Sequence, residues 1–160
     1  MKKKRFYSLI DKVYNLPNLL ESWYEVKENK GAPGVDNQTL EEFERNLSQN
    51  LKELHRLLRE RRYKPTCVKQ VLIPKPNSEK LRPLGIPTVR DRVVLQAIKR
   101  VIEPIFEAKF KDVSYGYRPL RSAHQAIQKC KEHIASGYRW VVDADIQSFF
   151  DTVNHKLLMK

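Results

Sequence analysis

Residues 140–151 read WVVDADIQSFFD, and in them Asp143 and Asp145 stand one residue apart at the end of an apolar run. Side chains alternate faces along a strand, so both acids would project to one side while Tyr138, Trp140, Val142 and Ala144 project to the other. Carboxylates so placed can ligate a hard divalent cation such as Mg2+. That ion takes one or two carboxylates and completes its shell with water and substrate phosphate oxygens. The same two acids also suit a solvated strand end beside Arg139, and spacing alone does not choose between the two readings. Ser148 has no evident base partner, so nucleophilic catalysis finds no support there. His124 suits a surface or packing role, and His155, four residues after Asp151, suits a helix-end interaction.

Two further groups are rich in cations. Between Lys52 and Arg82 there are ten Lys or Arg and three Glu. Lys75 and Arg82 flank a predicted turn, where an Arg fork and a Lys point charge can clamp a triphosphate. Charges on a hairpin also protect an exposed sheet edge, which serves equally well as an explanation. SYGYRPLR, residues 114–121, interleaves Tyr115 and Tyr117 with Arg118 and Arg121. Such a mixture can stack on bases and hold phosphate, although one of the two tyrosines is expected to pack beneath its own loop. Over the 160 residues the formal net charge is +12, which points to a polyanionic partner, nucleic acid foremost.

Other classes are excluded. Cys67 and Cys130 match neither a metal-ligand spacing nor a disulfide framework, and are expected to be reduced, partly buried thiols. No apolar run approaches 18 residues, so no membrane span is predicted. MKKKRF at the start lacks the apolar stretch of a signal peptide. HKLLMK, 155–160, continues a helical pattern with no stop signal, as a fragment would.

The elements that must position these groups follow from periodicity. Residues 5–15 and 17–30 each carry apolar residues at helical spacing, with Pro17 in a first turn and Gly31 as a stop. GAPGVDNQ, 31–38, reads as a tight loop. Thr39 and Glu42 form a capping-box pattern ahead of one long amphipathic helix over 40–62. A hairpin is predicted from 66–73 and 81–87, with Pro83 making the return strand an edge. Thr88 caps a long helix that Pro104 kinks or ends. Ser122 opens another, stopped by Gly137. A strand over 138–145 and a last helix started by Ser148 and Asp151 complete an α+β order, helix-rich with one β-hairpin.

Four runs carry a resemblance: GAPGVD (31–36), VLIPKPNSEKLRPLGIPTVRDRVVLQAI (71–98), SYGYRPLRSAHQAI (114–127) and VVDADIQSFFDTVNH (141–155). In this order they resemble the N-terminal half of group II intron-encoded reverse transcriptases, or maturases, over nearly the whole chain. The resemblance implies N-terminal extension helices and a template-contacting loop over 1–38. Fingers would span 39–136, with the hairpin at about 66–87, and the first strand and helix of a palm would span 137–160. Asp145 matches the first catalytic aspartate. With the backbone carbonyl of Ile146 it would hold Mg2+, or Mn2+ in its place, in a two-metal arrangement. Asp143 falls one residue outside the match and is ranked as a structural acid. Phe149 would lie under the deoxyribose of an incoming dNTP, and Phe150 in the core. Lys75 and Arg82 would reach the triphosphate, with Lys80 a rival to Lys75.

RNA, as intron or template, would meet Gly31, Pro33, Gly34, Arg61, Arg62, Lys69, Tyr117 and Arg118, with a DNA primer as the further partner. The family's Tyr-x-Asp-Asp turn is not in this sequence, so the 160 residues alone are expected to lack polymerase activity. A non-enzymatic RNA-binding module and a related bacterial reverse transcriptase, such as a defence-associated one, are the alternatives. A cytoplasmic, ribonucleoprotein-associated location is expected. So is a homodimer formed through the unfinished sheet edge.

Overall fold

Helix starts are set by capping residues, and the computed structural model, which describes residues 8–74 and 79–159 (Asp151 by its backbone alone), shows most of them in place. Lys75 and the predicted turn residues 76–78 lie outside the described residues, as do residues 1–7 with the basic start of the chain. The chain divides into two compact units, one up to Phe110 and one from Lys111.

In the first unit, α1 (Ile10–Val13) leads into α2 (Leu16–Glu28), whose first turn takes Pro17 where no amide donor is needed. Leu19, Trp23 and Val26 recur on one face of α2 and are buried. Lys30, at φ 47°, occupies the left-handed position after this helix, one residue before the expected Gly31. Its amide donates to the Lys27 carbonyl at 3.1 Å, closing the last turn.

The single helix expected over 40–62 is two, α3 (Leu40–Arg45) and α4 (Leu47–Arg59), broken at Asn46 with φ −118°. Asn side chains compete with helical bonding, and Asn50 Nδ2 donates to the Phe43 carbonyl across the break at 2.9 Å. Both capping-box bonds form at α3: Glu42 N–H to Thr39 Oγ1 at 3.2 Å, and Thr39 N–H to Glu42 Oε2 at 2.9 Å. The apolar stripe survives the break, because Phe43, Leu51, Leu54 and Leu58 are all buried.

The hairpin is β1 (Lys69–Pro74) and β2 (Leu81–Ile86), antiparallel, in a register running from Lys69 opposite Ile86 to Pro74 opposite Leu81. Its first strand starts three residues later than the apolar pattern suggested. Pro83 opposes Leu72 and is tolerated because a two-stranded sheet has only edges.

Helix α5 (Val89–Glu107) follows and continues through Pro104. It packs along α2, and their join is polar as well as apolar. Asn18 Nδ2 donates to the Ala97 carbonyl at 3.1 Å, and Glu25 accepts from Gln96 and Arg100. The core between α2, α4 and α5 holds Leu19, Leu54, Val89, Val93 and Ala97 around Trp23. The indole of Trp23 stacks on Phe43 with centroids 5.0 Å apart.

The second unit contains α6 (Ala123–Ala135), α7 (Phe149–Thr152) and α8 (His155–Leu158). Ser122 and Gln125 form a full capping box on α6. Gly137, at φ 94°, ends that helix: its amide donates to the Ile134 carbonyl at 3.0 Å and Tyr138 N–H to the His133 carbonyl at 3.2 Å. This is a Schellman stop, in which the left-handed position favours glycine.

Beyond it the expected strand over 138–145 does not form, and residues 138–146 have no regular structure. A strand needs a neighbour for its amides, and the described residues offer this segment none. Trp140 and Val142, expected to anchor a buried face, are 96% and 93% exposed. Ser148 has a left-handed backbone (φ 49°) and makes no side-chain cap, since a capping residue needs extended geometry. Phe150, expected in the core, is 87% exposed, and Cys67 and Cys130 are exposed rather than partly buried. No described residue of the second unit is buried.

Candidate nucleic-acid interface

The basic end of α4 is built by a second Schellman stop. Arg61 N–H donates to the Leu58 carbonyl at 3.2 Å and Arg62 N–H to the Leu57 carbonyl at 2.9 Å, which puts Arg61 at φ 57° in the position glycine usually takes. Basic side chains suit a helix C-terminus on electrostatic grounds. Here they also gather: Arg56 pairs with Glu53 at 2.9 Å, and Arg56 and Arg62 share Glu60 at 3.2 and 3.3 Å. The Glu53 carboxyl is held below its usual range by its bond to Arg56, with Arg90 and Arg62 near enough to add to the effect. The Arg90 guanidinium lies over the Tyr63 ring, 5.9 Å from its centroid. Arg59, Arg61, Lys64, Lys69 and Arg82 are exposed.

Tyr63 is the aromatic centre of this face. Burial, and then its hydrogen bond to Asp91, push its phenol above the ordinary tyrosine value. Asp91 is only 4% exposed and accepts from the Tyr63 hydroxyl, the Thr66 amide at 3.2 Å and the Thr88 hydroxyl at 2.7 Å. Sequence reasoning missed Asp91. The signal available was Thr88-x-x-Asp91, a helix-start pattern, but its partners at 63 and 66 are far off in sequence.

The GAPGVD loop is docked on the start of α5. A Cβ added at Gly34 would come within 2.8 Å of the Thr88 backbone, so glycine is required for the approach. Arg92 Nη2 donates to the Ala32 carbonyl at 3.0 Å, and the same guanidinium crowds Gly31. Burial pushes Arg92 down from its ordinary value, with Asp36 opposing. Gly31 and Gly34 therefore face the protein, while Pro33 is half-buried.

In the second unit Arg118 turns inward, its Nη1 donating to the carbonyls of Lys111 at 2.8 Å and Ser114 at 2.7 Å. Tyr115 is half-buried under the Arg121 guanidinium, 5.7 Å from the ring centroid. Tyr117, at φ 54°, stands fully exposed. Asp143, Asp145 and Ile146 are exposed in the irregular segment. Phe149, 49% exposed, meets Phe150 edge-on at 5.4 Å. Among the described residues no group of three His, Cys, Asp or Glu could hold a metal ion. The donors at Asp143 and Asp145 do not by themselves make a two-metal site.

Comparison with known proteins fits these features into one family. A family model described as reverse transcriptase (RNA-dependent DNA polymerase) matches residues 73–160, more than half of the chain. Protein YkfC of Escherichia coli (strain K12) is 44% identical over 138 residues, covering 82% of this chain and 36% of that protein. Group II intron-encoded protein LtrA of Lactococcus lactis subsp. cremoris is 38% identical over 133 residues, 82% of this chain and 22% of its own. Nuclear intron maturase 1, mitochondrial, of Arabidopsis thaliana is 36% identical over 73 residues, 46% of this chain and 10% of its own. The chain thus spans about a third of the first and about a fifth of the second. The inward-packed glycine loop, the hairpin and the acid-bearing segment lie on a chain that belongs to the reverse transcriptase (RNA-dependent DNA polymerase) family, as a relative of group II intron-encoded proteins and intron maturases.

Proposed function

We propose that this chain is the RNA-binding, substrate-approach portion of a group II intron reverse transcriptase and maturase, serving RNA-directed DNA synthesis. The observation that carries the reading is the basic face around Tyr63, in a chain of net charge +12 that belongs to a polymerase family. Arg59, Arg61, Arg62 and Lys64 at the end of α4, with Lys69 and Arg82 on the hairpin, are the phosphate-contacting set. Arg82, with Lys75, serves the triphosphate of a dNTP, and Tyr117 is an exposed platform for a base. Phe149 is the sugar-facing aromatic. Asp145, with the Ile146 carbonyl, is one donor toward Mg2+. The remaining donors of such a site would have to come from outside these residues, which supports the second reading, that the chain alone binds RNA without polymerising. Intron or template RNA and a DNA primer are its partners. A ribonucleoprotein in the cytoplasm is its proposed setting; among the described residues no helix is long and apolar enough to cross a membrane. A second copy covering the exposed stretch around Trp140 is the proposed homodimer contact, and a monomer in light scattering would remove it.

The left-handed Arg61 supplies a specific test. A non-glycine residue there costs about 1 kcal/mol, so Arg61→Gly should hold or raise the melting temperature while weakening RNA binding. Affinity of the unaltered chain for single-stranded RNA should fall on the order of 10²- to 10³-fold between about 50 and 200 mM salt. A flat salt profile, or an Arg61→Gly variant that binds as well as its parent, would overturn the assignment of this face.

A further inference from the structure

One carboxylate grips both legs of the hairpin. The chain enters β1 through Tyr63 and Thr66, and Asp91 accepts from the Tyr63 hydroxyl and from Thr66 N–H at 3.2 Å. The chain leaves β2 at Ile86 and reaches Thr88 two residues later. The Thr88 hydroxyl donates to Asp91 Oδ2 at 2.7 Å and accepts from Asp91 N–H at 3.1 Å. Both Thr88 and Asp91 are buried, at 1% and 4% exposure. A buried carboxylate holding several good donors is expensive to disturb, because losing a donor leaves charge without compensation.

Among the described residues, much of the hairpin's apolar surface is open to solvent. Val68, Leu72, Leu81 and Leu84 are 54%, 56%, 53% and 45% exposed. Two strands alone are marginal in water without a packed face. Their direction relative to α5 must be imposed at the root, where the fixed groups are Asp91, in the first turn of α5, and the two segments it binds.

We propose that Asp91 is the positioning residue of the hairpin: through Tyr63, Thr66 and Thr88 it sets the direction in which β1 and β2, and Arg82 upon them, leave the helical body. Asp91 itself touches no substrate. Its effect reaches the ligand through the orientation of a cation carried on the return strand, paired with Ile73 across the ladder. The binding consequence rests on the RNA reading of this face given above; the mechanical consequence does not.

The experiment uses the 160-residue chain with Tyr63→Phe, Asp91→Asn, Arg82→Ala and the combinations with Arg82→Ala. Hydrogen exchange of the amides in the β1–β2 ladder should accelerate about tenfold in Tyr63→Phe, the loss of one charge-assisted bond, with α2 and α5 amides unchanged. RNA affinity supplies a mutant cycle: Arg82→Ala should weaken binding in the parent, and by a clearly smaller factor when Asp91 or Tyr63 is already changed, although these side chains do not meet. Tyr63→Phe removes a single hydroxyl and carries both measurements if Asp91→Asn does not fold. Three outcomes would overturn the proposal: unchanged exchange in the ladder, equal acceleration in ladder and helices, or the same Arg82→Ala factor in every background. If Arg82→Ala has no effect in the parent, the RNA reading of the hairpin fails and the exchange result alone decides the role of Asp91.

Discussion

The unit up to Phe110 and the unit from Lys111 use the same local grammar and reach different ends. Both start a helix with a complete capping box, at Thr39 and at Ser122, and both close one with a Schellman stop, at Arg61 and at Gly137. In the first unit these helices bury Trp23, Phe43, Leu54 and Val93 against one another. In the second, α6 carries Ile127 and Ile134 at 54% and 58% exposure. Caps decide where a helix begins, and each contributes about 1 kcal/mol. Burial of an apolar face decides whether the element is held, since most helical stability in proteins comes from packing.

That contrast can be broken most directly through the two tryptophans. Trp23→Ala should cost about 3–5 kcal/mol, as large core truncations do, and urea unfolding followed by circular dichroism would read it. Trp140→Ala should stay within about 0.5 kcal/mol, as exposed substitutions do. Equal losses would mean that the segment around Trp140 is as well buried as α2. Gly34→Ala comes next, at about 1–3 kcal/mol, because its methyl meets the backbone of Thr88 rather than a movable side chain. A melting temperature unchanged by Gly34→Ala would show that the loop is not seated on α5.

Ser122→Ala is smaller, about 1 kcal/mol on α6, and should lower helicity without shifting the transition of the first unit. A shift there would join the two units energetically. The finest probe is alkaline titration. Tyr63 has its phenol raised by burial and by Asp91, so its contribution is whole below the ordinary tyrosine value and is lost as pH rises from there through the folded value. Tyr63 should ionise late by absorbance, and Asp91→Asn should bring it earlier.

Much of this was legible because it is local. Thr39 with Glu42, Thr88, Ser122 and Gly137 are short signals whose bonds close within one turn. The two strands of the hairpin were legible from an apolar run and its return on either side of a stretch rich in Pro, Asn and Ser. The break at Asn46 was not, since the apolar stripe runs through it without a gap. The strand expected over 138–145 failed for a different reason: its alternation describes a face, and a face becomes a strand only when another strand supplies the bonds. Site residues divide the same way. Arg61 and Arg82 stand on the surface where charge patterning put them. Gly31, Gly34 and Arg118 turn toward the protein, a direction that residue type does not encode. Asp91 escaped notice because its partners sit 25 and 28 residues away.

The sequence contains two tryptophans, and the fold gives one to each unit, Trp23 at no exposure and Trp140 at 96%. An indole sealed among hydrocarbon emits towards the blue and is shielded from a dissolved quencher, whereas one in water emits towards the red and is quenched freely. The chain therefore carries two built-in optical reporters, separable by wavelength and by iodide. Anything that covers the second unit, be it RNA or another polypeptide, should move the red component alone.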